Sequence, residues 1–299
     1  MSGEDRTMPS PIPSSLASRL ATLPPALRHP GVLFGLAVLL VVGLAALAAP
    51  FLWTGDPILL RPRLRLKPPS SVAWLGTDAF GRDVWTRVVY GARVSLTIGF
   101  SVAAAAVLIG LFIGLVAGYL RRLDAVVMRI MDGIMAIPSI LLAIAMVTLS
   151  GAGIGTVIVA IAIPEIPRVA RLVRSVVLSV RSEPYVEAAI GAGTRLPMLL
   201  IRHVLPNTIA PLIVQGTYVC ASAILTEAIL SFLGAGIPTE IPSWGNIMAE
   251  GRQSFQIAPW VILFPGLCVA ATVLAVNIIG DGLRDALDPR TARRFGALR

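Results

Sequence analysis

The chain has 299 residues, 56% of them apolar and 14% charged, and a mean hydropathy of +0.83, where a soluble domain has roughly a quarter of its residues charged. The apolar residues fall in long charge-free blocks, so the bilayer span is the unit to count, and an all-α integral membrane protein is expected. The net charge of +9 comes from basic residues that flank those blocks rather than forming a soluble patch for nucleic acid.

The only lysine, Lys67, lies in Arg65-Leu66-Lys67-Pro68-Pro69. A phosphate loop of the form GxxxxGK[ST] is therefore excluded, and any ATP hydrolysis has to come from another chain. Cys220 and Cys268 stand singly in apolar blocks, which argues against a disulfide framework or a zinc cluster. His29 and His203 border membrane spans, and neither is placed to serve an intramembrane hydrolase.

In chain order, a polar, Pro-rich tail over 1–30 precedes a first span over 31–55, and a second span covers 94–120. The next uncharged block is too long for one helix and is broken at Gly151-Ala152-Gly153-Ile154-Gly155. A tight turn there predicts a third span near 125–149, bent by Pro138, and a fourth near 154–178. The fifth covers 208–233 and the sixth 258–280. Ala46-Leu47-Ala48 resembles a signal-peptidase site, but the polar lead is long for a signal sequence, and the segment is read as an uncleaved span.

Six spans put both termini on one side. With that side cytoplasmic, the cytosolic segments hold 17 basic residues and the outer ones eight, seven of them between the first two spans. The positive-inside bias therefore predicts cytoplasmic tails over 1–30 and 283–299. The first helix and an outer segment fill 31–93, and the helical core fills 94–282.

Between the fourth and fifth spans, Pro184 suits the first turn of a short helix, and Gly193 with Pro197 ends it. That helix, within about 184–197, would lie across the cytosolic face, offering one acid, Glu187, and two small residues, Ala188 and Ala189; by composition alone the segment also reads as a solvated connecting loop. Of the rare charges inside spans, Glu227 is placed near the outer interface, reaching headgroup water or a backbone donor, or forming part of an outer gate. Glu165 is expected to pair with Arg168, and Asp132 with Arg129. Arg168, Arg171 and Arg174 read as snorkelling or phosphate-facing side chains, with contact to an ATPase as the second reading, and Met128, Met131 and Met135 as helix packing. The last outer loop, 238–252, holds Glu240 and Pro242-Ser243-Trp244-Gly245. It reads as an ordered turn in which Trp244 is an interface anchor or part of a receiving surface.

The string Glu187-Ala188-Ala189, three residues, Gly193, nine residues, then His203-Val204-Leu205-Pro206 resembles the EAA signature of permease subunits in ATP-binding cassette importers. His203 stands where that pattern usually has Ile. Leu75-Gly76-Thr77-Asp78-Ala79-Phe80-Gly81-Arg82-Asp83, Leu230-Ser231-Phe232-Leu233-Gly234, Pro242-Ser243-Trp244-Gly245 and the run from Gly280 to Arg290 resemble the C-type permease of the dipeptide, oligopeptide and nickel branch. The resemblance extends from the first span to the C-terminus.

It implies a type I (MetI-like) importer permease with six transmembrane helices in a bacterial inner membrane. A homologous permease, two ATPase subunits and an extracytoplasmic binding protein would be its partners, with a peptide as the solute. No cofactor is implied in this chain, ATP and Mg belonging to the ATPases. Glu187, Ala188, Ala189 and Gly193 would form the coupling helix in an ATPase cleft, with Leu205 and Pro206 fixing its exit. Glu227, Trp244 and Glu240 would serve the outer gate or the binding protein. Nickel chelates and glutathione share these motifs, and a secondary carrier is the alternative on topology alone.

Overall fold

The computed structural model describes residues 30–51 and 55–287. The expected tails fall mainly on 1–29 and 288–299, outside the described residues, as do the last residues of the Gly280 to Arg290 run. Among the described residues every regular element is helical, apart from an isolated bridge between Thr77 and Asp83. In chain order they are α1 (Pro30–Ala48), α2 (Val84–Tyr119), α3 (Arg121–Ala136), α4 (Ser139–Ser150), α5 (Ile154–Arg181), α6 (Pro184–Gly191), α7 (Leu196–Leu199), α8 (Leu205–Phe232), α9 (Trp244–Gly251) and α10 (Trp260–Leu287).

Among the described residues, four helical stretches are long and apolar enough to cross a bilayer: α1, α2, the continuous run Leu196–Phe232 and α10. The pair α3 and α4 makes a fifth only if a bent pair counts as one span. With 28 residues α5 is long enough, but every 18-residue stretch of it holds at least three charges.

The first helix stops at Ala48, short of 55, and the sixth span's helix runs on to Leu287, past 280; three other expectations shift for identifiable reasons. The second span begins ten residues earlier than its charge-free block, because Asp83 caps α2, its Oδ2 accepting from Thr86 N at 2.8 Å; this satisfies an amide that the helix start leaves open. The third span is no single rod. Pro138 disfavours the helical region at Ile137, which is extended, and α3 meets α4 at 87°. The fifth starts at Leu196 rather than 208. A π turn over Leu200–Val204 leads into α8, where Pro206 stands at the first turn without an amide hydrogen to contribute.

The centre of the bundle is α2 against α5. Gly110, Gly114 and Gly118 recur every four residues on α2, and a Cβ at each would come within 2.6 to 2.7 Å of Val169, Val173 or Val177, or of the Ala170 carbonyl, on α5. Small residues at that spacing let two helix backbones approach, which is how apolar helices gain packing contacts in lipid. The remaining long helices surround this pair: α8 packs on α2 and α10, and α1 lies on α10.

At the end of the bundle opposite α6, segment 61–83 and α9 cap the helices. Asp78, Arg82, Arg87 and Glu250 form a buried network, with Arg82 Nε donating to Asp78 Oδ2 at 2.6 Å and Arg87 Nη1 donating to the same oxygen at 2.9 Å. Both guanidinium groups also reach Glu250. Two cations and two anions balance, so the N-terminus of α2 and α9 are pinned together without a net buried charge.

Candidate functional site: an exposed helix at one end and a buried polar cluster at the other

Helix α6 stands between α5 and the run leading into α8. Pro184 occupies its first turn, and Gly193 ends it at φ +75°. The Gly193 amide donates to the Ile190 carbonyl at 2.9 Å and the Thr194 amide to Ala189 at 3.1 Å. This is a Schellman closure, whose left-handed position suits glycine. Val186, Leu199 and Val204 are buried in the core cluster, while Glu187, Ala188 and Gly193 are exposed and Ala189 is half-buried. One face thus holds the helix down and the other presents a carboxylate beside small residues.

A polar brace that sequence reasoning missed stiffens this mounting. Asn207 Nδ2 donates to Tyr185 Oη at 3.1 Å and to the His203 carbonyl at 2.7 Å. The Tyr185 and His203 rings lie 6.3 Å apart. The imidazole at the position where the signature usually has Ile therefore lies tilted, at 44°, against a ring of α6. Leu205 is half-buried and Pro206 exposed; both belong to the continuous helix Leu196–Phe232, so the exit from α6 is the loop over 192–195.

In the second half of α5, two ion pairs strap α3 across it: Arg174 to Asp124, with Nη2 to Oδ2 at 2.6 Å, and Arg171 to Asp132. Asp132 therefore pairs with Arg171 of α5 rather than with Arg129, because the bend lays α3 over that helix. The arginines at 168, 171 and 174 each meet a carboxylate in place of the lipid phosphates expected for them. Glu165 does pair with Arg168.

At the opposite end the expected outer residues separate. Glu227 is fully buried, its carboxylate accepting from Ser231 Oγ at 2.9 Å and Ser95 Oγ at 3.2 Å. The expectation that it reaches headgroup water is thus corrected: helix length placed it at the right height, but its side chain turns inward between α8 and α2. Trp244 is 1% exposed, with Nε1 donating to the Val88 carbonyl at 3.0 Å and its backbone amide to Ser95 Oγ at 3.4 Å. It is a packed core side chain, not a headgroup anchor. Ser95 joins Trp244 to Glu227, whereas Glu240 is exposed on the loop before α9. That loop is ordered by Asn246, whose Nδ2 donates to the carbonyls of Ile237, Pro238 and Ile241.

The fold defines a multi-pass membrane protein with a short helix, carrying Glu187 and Ala188 exposed, mounted at one end of the bundle. Residues 72–293 match the binding-protein-dependent transport system inner membrane components. The chain is 60% identical over 267 residues to a probable peptide ABC transporter permease protein of Sinorhizobium fredii, covering 89% of this chain and 91% of that one. It is 46% identical over 257 residues to the dipeptide transport system permease protein DppC of Alkalihalophilus pseudofirmus, covering 86% and 84%.

Among solved structures, a chain of the inward-facing MetNI methionine ABC transporter shares the fold. Its TM-score is 0.57 at 21% identity, covering 67% of this chain and 96% of that one. The present chain belongs to the binding-protein-dependent transport system inner membrane components. It is a permease subunit, not itself catalytic, of a transporter with other subunits.

Proposed function

We propose that this chain is one of two homologous permeases lining the path of an ATP-driven importer for di- and oligopeptides, with both termini cytosolic and six crossings. Two ATPase subunits would dock on the cytosolic face, and an extracytoplasmic binding protein would deliver the peptide. The peptide names of the similar permeases support the solute class.

The observation that carries the reading is α6: a helix braced by Asn207 and closed by Gly193 that exposes Glu187 and Ala188. A lever has to transmit a displacement without bending, and this mounting is stiff where it joins the bundle. Closure of the ATPases on ATP would move α6 together with its counterpart on the second permease and switch the path from inward-facing to outward-facing.

The test is uptake of a labelled dipeptide into proteoliposomes holding the whole complex and its binding protein. Uptake is expected with ATP and to be absent with an ion gradient alone; the reverse would make the chain a secondary carrier. Glu187→Ala, which removes one partner of a contact worth about 2 to 5 kcal/mol where such charge pairs are buried, should leave insertion intact and lower uptake per ATP hydrolysed at least tenfold. Normal uptake by that variant would remove Glu187 from the coupling contact.

A further inference from the structure

Halfway along α5 lies an ion pair, and charges inside a membrane bundle mark function by default. Arg168 is 14 residues past Ile154 in a helix of 28, about 21 Å along some 42 Å. Beneath it, Glu165 is 5% exposed and accepts from Arg168 Nη1 at 2.8 and 3.0 Å and from Ser222 Oγ of α8 at 3.2 Å.

Among the described residues Arg168 has no other hydrogen bond. Its Nε and Nη2 are without an acceptor, and 48% of its side chain is exposed. It borders a cavity of about 330 Å³ lined also by Ile134, Met135, Pro138, Ser139 and Pro164. Two interruptions meet there: the 87° bend between α3 and α4, and the pair Pro164 and Pro167 inside α5. The rest of the lining is Ile137 and Ile140, so Arg168 and Ser139 are its polar side chains; an apolar cavity with few polar groups, set between interrupted helices, is the setting in which membrane transporters hold their solutes.

We propose that Arg168 binds the carboxylate of the transported solute inside the path, with Glu165 and Ser222 as its positioning residues. The inference rests on the peptide-importer reading above, since every peptide with a free C-terminus brings one carboxylate. A guanidinium fixed through Nη1 still presents Nε and Nη2 as a planar pair of donors, the geometry a carboxylate takes in bidentate fashion. Glu165 shares the positive charge, which keeps the attraction weak, and a station within a path has to release what it holds.

The test compares a dipeptide with a free C-terminal carboxylate and the same dipeptide as its C-terminal amide, in the reconstituted complex at matched occupancy of the binding protein. The wild-type complex is expected to take up the acid faster than the amide. Arg168→Gln should lower that acid-to-amide ratio about tenfold, as expected for losing hydrogen bonds to a charged group, and Arg168→Lys should retain part of it. A wild-type ratio near one overturns the proposal. So does an unchanged ratio in Arg168→Gln, whatever the total uptake, because a packing role or an ion pair with the second permease would scale both peptides alike. Failure of the wild type to take up either peptide overturns the importer reading instead, and shows before any variant is made.

Discussion

Arg87 is 1% exposed, and its guanidinium bridges Asp78 and Glu250. With Arg82 included, the group is neutral and almost dry, so its value depends on completeness. Removing one member of a buried network leaves an uncompensated charge at a cost of about 3 to 5 kcal/mol, whereas replacing a pair by apolar side chains of similar volume costs far less. Glu250→Ala is therefore expected to lower the Tm of the detergent-solubilised complex more than the double variant Arg87→Met with Glu250→Met, which leaves the Asp78 and Arg82 pair intact. A double variant at least as damaging as the single one would show that packing, not charge balance, holds α9 to α2. Neither Arg87 nor Glu250 stands out in the sequence, since both read as ordinary basic and acidic residues of an outer loop; only the folding of α9 against α2 brings them within reach.

At the scale of elements, the close pair α2 and α5 depends on three glycines of α2 spaced by four. The spacing Gly110, Gly114, Gly118 is legible in the sequence as a small-residue stripe, but the facing valines of α5 are identified only by the packing. Gly114→Val would drive a branched side chain into Val173 and the Ala170 carbonyl, where overpacking costs about 1 to 3 kcal/mol. The variant should insert but yield several-fold less assembled complex on size-exclusion chromatography, while Gly133→Val on α3, where an added Cβ meets nothing within 4 Å, should assemble normally. Equal yields would mean that the α2 and α5 contact is not limiting. Local rules sufficed for α6, since Pro184 and Gly193 are punctuation of a single turn. For α3 they gave the bend at Pro138 but neither its angle of 87° nor the arginines of α5 that then strap α3 down.

For the whole molecule, the orientation drawn from the positive-inside bias is open to direct labelling. Ser71 and Glu240 are exposed at the end opposite α6, and Ser182 is exposed next to α6. In a background lacking Cys220 and Cys268, Ser71→Cys and Glu240→Cys should react with an impermeant thiol reagent in intact cells, and Ser182→Cys only after permeabilisation. Labelling of Ser182→Cys in intact cells would invert the topology and place α6 outside, away from any ATPase. Ser243, a natural choice from the sequence, is fully buried as the cap of α9 and would report nothing about sidedness.

The sequence alone determined that the chain lives in a bilayer, where most of its helices lie, that α6 is a short capped helix, and that its signatures resemble importer permeases. Each of these depends on composition, on hydropathy over about 20 residues or on turn chemistry, all of which act locally along the chain. Tertiary structure decided which charges meet. Asp132 goes to Arg171, Glu227 turns to Ser95, Trp244 enters the core, and Arg168 faces a cavity beside Pro138. These outcomes depend on which face of one helix meets another and on where a proline redirects the chain. In a low-dielectric interior a few ångströms separate a neutralised ion from a prohibitive one, and no linear pattern in the chain encodes that distance.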